Sequence, residues 1–221
     1  MFLIFVKNNN YKKQMNFLEF RKNMLPFKVF STKDIAKRFP DFDSRRLFEW
    51  QEKGYIQKLI NKWYLLTETE KSEYLYFRIS NSIVKPSYVS METALSWYNL
   101  IPESVFSIQT ITTRKSQHYE TVAGNYNCRS VKPSAFFGYT VLRESDLPIL
   151  LAEKEKAILD YLYLTTGIRS KEDIAALRLN IEETKDIDWQ KFDHYAGALN
   201  SKSLNRRIEF FKSIIADDVA E

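Results

Sequence analysis

Phe30-Ser31-Thr32-Lys33-Asp34-Ile35-Ala36-Lys37-Arg38-Phe39-Pro40, then Asp41-Phe42-Asp43, then Ser44-Arg45-Arg46-Leu47-Phe48-Glu49-Trp50-Gln51-Glu52-Lys53-Gly54 is the stretch whose reading decides the fold of the first third of this chain. Ser31 is suited to cap a helix whose apolar face is Ile35, Ala36 and Phe39, and Asp34 stands where an acid completes a capping box. Pro40 forces the backbone out of that helix. Asp43 is a good N-cap for a second helix over 44–53, and Gly54 stands where a left-handed closing residue belongs. Residues 55–60 and 63–66 read as two facing strands, with Asn61-Lys62 as their tight turn and Asn61 at the position needing positive φ. Upstream, residues 11–24 read as an amphipathic helix burying Met15 and Leu18, with Phe17 and Met24 beside them, ended by Pro26. Helix, short helix, helix closed by glycine, then hairpin is the order of a winged helix-turn-helix, predicted for residues 1–67.

Charge follows the same boundary. Residues 1–67 hold 14 Lys/Arg against 6 Asp/Glu, whereas the remainder holds 19 against 22. A basic module joined to a mildly acidic remainder is the asymmetry expected when one part of a chain meets a polyanion. With 5 Gly and 6 Pro in 221 residues, long flexible linkers and glycine-rich phosphate loops are not expected. The single cysteine, Cys128, leaves no internal disulfide and no cysteine-based zinc site, which suits a reducing, cytoplasmic setting. The opening Met1-Phe2-Leu3-Ile4-Phe5-Val6 run is too short for a signal peptide and lacks basic residues before it, so it reads as a tail or short strand. No stretch reaches the roughly 18 apolar residues of a membrane span.

Beyond residue 67 the pattern changes. Residues 70–84 read as a helix, 87–89 as extended, and Ser90 as the cap of a helix carrying Ala94, Leu95, Trp97 and Tyr98. Segments 107–113, 119–122 and 126–131 alternate at period two, with Ala123-Gly124-Asn125 as a turn. Residues 136–142 and 149–151 add extended pieces. A helix over 153–165 has an apolar face too broad for a surface helix, with Lys154 and Lys156 expected to be exposed beside it. From Ser170 the chain reads as three helices. The expected fold is therefore α+β: a winged helix-turn-helix (1–67), a mixed α/β domain with an antiparallel sheet (68–165), and a helical C-terminal extension (166–221).

In a helix-turn-helix the N-terminal residues of the second helix reach base edges in the major groove. Ser44, Arg45 and Arg46 occupy that end here. With Leu47 pointing inward, Arg45, Glu49 and Glu52 fall on the outer face. Arg45 is suited to the O6 and N7 of guanine and Glu49 to a cytosine amine, while Ser44 and the free amides beside it suit a phosphate. Lys58, Asn61 and Lys62 sit at the hairpin tip, and Thr32 and Lys33 at the start of the preceding helix, all placed for backbone contact. Trp50, Trp63 and Tyr64 read as core.

Catalytic signatures are absent from the sequence. There is no GxxxxGK[ST], HExxH or GxSxG, and His118 and His194 stand alone. A DNA-processing enzyme built on acidic residues would have Glu120 as its candidate carboxylate. No catalytic residue, metal or cofactor is expected.

Five further segments carry a resemblance. Tyr88-Val-Ser-Met-Glu-Thr-Ala-Leu-Ser-Trp-Tyr-Asn-Leu-Ile-Pro-Glu103 is followed by Ile111-Thr-Thr-Arg114 and Tyr119-Glu-Thr. Val131-Lys-Pro-Ser-Ala-Phe-Phe-Gly-Tyr139 and Ala152-Glu-Lys-Glu-Lys-Ala-Ile-Leu-Asp-Tyr-Leu-Tyr163 complete the order. Across residues 28–165 the chain resembles the AbiEi-type antitoxin family, described as predicted transcriptional regulators of viral defence systems. The resemblance implies a type IV toxin–antitoxin role: autorepression at the chain's own promoter and counteraction of a nucleotidyltransferase-type toxin. It implies double-stranded DNA as a partner, with inverted repeats expected, and offers no catalytic residues. A stand-alone repressor with a ligand- or protein-sensing C-terminal domain is the rival expectation.

Overall fold

The computed structural model describes residues 15–102, 107–143 and 148–220. The expectation for residues 1–6, and the first part of that for 11–24, lie outside the described residues. The chain is a mixed α+β protein. Its described residues fall into two compact units, one drawn from 1–58 and 62–69, the other from 59–61 and 70–221.

The first unit opens with α1 (Phe17–Met24), capped by Asn16, whose side chain accepts from the Glu19 amide at 2.8 Å. After β1 (Val29–Ser31) come α2 (Thr32–Arg38), α3 (Arg45–Glu52), β2 (Ile56–Ile60) and β3 (Trp63–Leu66). The three strands form a sheet in the order β1-β3-β2, with Phe30 opposite Tyr64 and Ser31 opposite Trp63. The core is aromatic. The ring of Phe20 lies with its centroid 4.5 to 6.1 Å from those of Phe30, Phe39, Phe42 and Trp50. This decides the face of α1. Phe17, Phe20 and Met24 make one stripe at i, i+3, i+7, and their large side chains take the core. Leu18 is left 74% exposed, contrary to its expected burial. A two-pronged pair from Arg21 to Glu68, at 2.5 and 2.8 Å, ties α1 to the segment that follows β3.

The second unit is built on a six-stranded sheet. Its elements are α4 (Glu73–Ile83), β4 (Ser87–Val89), α5 (Met91–Trp97), β5 (Ser107–Thr112), β6 (Gln117–Thr121), β7 (Gly124–Ser130), β8 (Tyr139–Arg143), β9 (Pro148–Ala152) and α6 (Lys154–Leu164). The α7 (Lys171–Ala175), α8 (Trp189–Leu199) and α9 (Lys202–Ala220) helices follow. The strand order is β6-β7-β5-β4-β9-β8. The sheet is mixed, which corrects the expected antiparallel one: β5 runs parallel to β7, and β4 parallel to β9. Period-two alternation reveals a strand but not the direction of its neighbour. Here β6 pairs on the outer side of β7, so the two strands with the longest shared ladder, β5 and β7, point the same way.

All residues from Glu155 to Leu162 of α6 are buried, so the helix is enclosed on every side. The tail helices help enclose it: Ile174, Phe192, Leu204 and Phe211 belong to the same core cluster as Ala157, Ile158 and Leu162. Arg207 on α9 donates to the carbonyls of Leu162 (2.7 Å) and Tyr163 (3.2 Å), satisfying acceptors that a helix end leaves open. At the other end, Glu155 accepts from the Asp188 amide at 3.0 Å, and Glu153 from the Tyr195 hydroxyl at 2.8 Å.

Four polar groups cross this core. Asp160 accepts from the hydroxyls of Tyr88 (2.9 Å) and Ser90 (2.8 Å) and pairs with Lys156, whose ammonium also donates to Tyr88 at 2.8 Å. Both charged side chains are 0% exposed. Lys156 therefore lies where the sequence did not place it. Lys154 is turned onto the Glu183 carbonyl at 3.0 Å. Ser90 precedes α5 without capping it through its side chain, because its hydroxyl is given to Asp160. Gly138 packs over Lys156. At φ +71° it has a backbone few side chains adopt, and a methyl there would meet Tyr195 at 2.9 Å and Lys156 at 3.0 Å. Tyr88 and Ser90, Gly138, and Lys156 with Asp160 come from three of the segments that carry the resemblance, and they meet at this one place.

Cys128, on β7, is buried, and burial pushes its thiol up to about 11. The thiolate is the reactive form. An aromatic disulfide reagent at pH 8 is expected to label the native chain far more slowly than the urea-unfolded chain. Equal rates would place the thiol at the surface.

Candidate nucleic-acid interface

The expected capping box is present at α2. Asp34 accepts from the Ser31 amide at 2.8 Å, and the Asp34 amide donates to Ser31 Oγ at 3.3 Å. The next amide, on Thr32, finds its acceptor outside the helix, donating to the carbonyl of Lys62 at 3.0 Å. This bond continues the β1–β3 ladder and joins the start of α2 to the hairpin turn. Lys62, not Asn61, takes the positive φ of that turn, at +69°. In that conformation its carbonyl serves Thr32, while its side chain stays exposed.

The N-cap position of α3 falls on Ser44, whose side chain makes no capping bond, and Asp43, one residue earlier, does the capping instead. Its side chain accepts from the Arg45 amide at 3.0 Å and its carbonyl from the Arg46 amide at 3.0 Å. The far end closes on glycine. The Gly54 amide donates to Gln51 at 2.9 Å and the Tyr55 amide to Trp50 at 2.8 Å, the paired bonds of a Schellman motif, with Gly54 at φ +69°. Leu47 and Trp50 are buried, which fixes the helix rotation and turns Arg45, Phe48, Glu49 and Glu52 outward at i, i+3, i+4, i+7.

The two arginines differ. Arg45 is exposed and laid along Asp43, with bonds of 2.7 to 3.0 Å. That hydrogen-bonded guanidinium holds the Asp43 carboxyl below its usual range. The pair is solvated and screened, so it positions the guanidinium without locking it. Arg46 has a side chain only 17% exposed and is directed to Glu49 at 3.6 Å, so its charge is largely answered within α3.

Thr32 and Ser44 line one small cleft of about 160 Å³ between α2 and α3, floored by Ile35, Phe39 and Leu47. Lys33, Lys58, Asn61 and Lys62 are exposed, and the three lysines make no ion pair with a described residue. The residue that sequence reasoning missed is Phe48, 67% exposed on the outer face of α3. Its signal was its spacing, three residues after Arg45 and one before Glu49. Trp50 and Tyr64 are buried and Trp63 half-buried, as expected for core residues.

Glu120 lies exposed on β6, with His118 Nε2 3.5 Å away. Among the described residues no group of three or more His, Cys, Asp or Glu side chains could hold a metal ion, and no helix is long and apolar enough to cross a membrane. Comparison with protein families and with curated proteins finds no match to this chain.

Proposed function

We propose that α2, α3 and the β2–β3 hairpin act as a winged helix-turn-helix on duplex DNA, and that the chain is the autoregulating antitoxin of a type IV toxin–antitoxin system. The observation that supports the DNA reading is the outward face of α3, fixed in rotation by buried Leu47 and Trp50, beside a lysine-bearing hairpin joined to the start of α2. In this reading Arg45 leaves Asp43 for a guanine edge and Phe48 packs on a thymine methyl. Glu49 accepts from a cytosine amine or steers Arg45. Glu52, further along the helix, opposes any approach to a phosphate by like charge, which favours an entry led by the N-terminal end of α3. Ser44 and Thr32, which share a cleft, take one phosphate strand, and Lys33, Lys58 and Lys62 take its neighbours. The antitoxin reading rests on the AbiEi-type resemblance and on the meeting of its motifs around Asp160.

The test is binding of the purified full chain to duplex DNA from upstream of its own gene, set against unrelated duplex of equal length. Shifts that resist competitor DNA, with protection of inverted repeats, are expected. Equal affinity for both duplexes would sink specific regulation. Co-expression with a nucleotidyltransferase-type toxin of the same operon is expected to restore growth, and unchanged killing would remove the antitoxin part.

A further inference from the structure

On the second unit, the turn between α4 and β4, the loop after β5 and the near face of β6 enclose a groove of about 590 Å³. Three cations line it, Lys85, Arg114 and Lys115, and no carboxylate does. Elsewhere many basic side chains of this unit are answered by acids: Lys154 by Glu183, Lys191 by Glu155, Lys171 by Asp217 and Lys212 by Asp193. Lys85 and Lys115 have no such partner among the described residues. Arg114 is held in place without being neutralised. Its Nε donates to the Lys85 carbonyl at 2.8 Å and its amide to Thr112 Oγ1 at 3.1 Å, while the Thr112 hydroxyl donates to the Pro86 carbonyl at 2.7 Å. The loop and the turn are thus fastened together, and the rest of the guanidinium fork has no described partner.

Strand alternation sets the other wall. Gln117 and Tyr119 share one face of β6 and line the groove, so Glu120 belongs to the opposite face. The Tyr119 hydroxyl donates to the Gln117 side-chain oxygen, which leaves the Gln117 amide hydrogens without a described partner. The volume lies within the few hundred to about 1,000 Å³ typical of small-ligand sites. Like charges gathered without a counter-charge favour an anion, and a pre-placed arginine fork beside two lysines fits phosphate oxygens. An aromatic ring next to a free amide adds a surface for a heterocycle. We propose that this groove binds a nucleoside polyphosphate, with Lys85, Arg114 and Lys115 on the phosphates and Tyr119 and Gln117 on the base.

The full chain is titrated calorimetrically with ATP, GTP, inorganic triphosphate and a short single-stranded oligonucleotide. ATP or GTP is expected to bind with a dissociation constant of about 1 mM or tighter, and more tightly than inorganic triphosphate. Lys85→Gln with Lys115→Gln should weaken that binding at least about tenfold. Both side chains are exposed, so the thermal midpoint of this variant should match that of the parent chain. Lys62→Ala, on the other unit, should leave nucleotide binding unchanged and so separates this groove from the DNA surface. The proposal is overturned if neither nucleotide binds at several times that concentration, if the double variant binds as well as the parent, if triphosphate alone binds as tightly as the nucleotides, or if only the oligonucleotide uses these lysines.

Discussion

Asp160→Ala is expected to destabilise the second unit by about 3–5 kcal/mol, the range for removing one partner of a buried ion pair. The carboxylate is fully buried, accepts from Tyr88 and Ser90, and pairs with Lys156. Burial pushes its carboxyl above the usual range, while the Lys156 ammonium and the hydrogen bonds pull it back. Alanine would leave that ammonium enclosed without a counter-charge, beside two hydroxyl donors that have lost their acceptor. The Tyr88 hydroxyl, 2.8 Å away, and the rings of Tyr88 and Phe137, 5.3 and 5.0 Å from the Lys156 nitrogen, would remain to attract it, and none of them carries a negative charge. Lys156→Met combined with Asp160→Leu should cost less than Asp160→Ala alone, because no charge is stranded. Urea unfolding followed by circular dichroism reads both, provided the slope against denaturant is unchanged. A single-variant loss below about 1 kcal/mol would show that water reaches the pair.

This network also marks the limit of what sequence could reveal. In the first unit the decisive signals are local: Ser31 with Asp34, Pro40, Asp43 and Gly54 act within a few residues, and each stands in the structure as its chemistry dictates. The hairpin is equally local, although its left-handed residue is Lys62 because the β1 ladder claims that carbonyl. The ladder joins residues about thirty apart, and no window along the chain contains it. Lys156 shows the same difficulty at greater length. A lysine that ends a Glu-Lys-Glu-Lys run reads as solvated, and only Tyr88, 68 residues earlier, and Asp160 together make its burial tolerable. The parallel pairings of β5 with β7 and β4 with β9 are likewise set by what lies alongside, not by what is adjacent in the chain. At the candidate interface, the outward face of α3 was legible from Leu47 and Trp50. The turn of Arg46 onto Glu49 was not, since i, i+3 spacing permits the pair without requiring it.

The largest effect on DNA binding is expected from the lysines rather than from Arg45. Lys33, Lys58 and Lys62 are exposed and have no described acid to leave behind, so placing them against phosphates breaks no existing pair. Each phosphate neutralised contributes about 0.9 to the slope of log affinity against log salt. Replacing all three by alanine should therefore lower that slope by about 3 and weaken binding at about 0.15 M salt by roughly two orders of magnitude, alike for every duplex. Lys62 keeps its left-handed backbone as alanine, and the Thr32 bond is made to its carbonyl, so the hairpin should survive the change. Arg45→Ala should behave differently. It must be released from Asp43 to reach a base, which reduces its net gain, and its loss should cost about tenfold at a preferred site, relax one base position and barely change the salt slope. Fluorescence anisotropy over a range of salt concentrations, on operator and unrelated duplexes, separates the two classes. A triple variant with the parent's salt slope would remove the hairpin and the start of α2 from the interface. An Arg45→Ala chain that discriminates as the parent does would mean that α3 meets DNA on another face, or not at all.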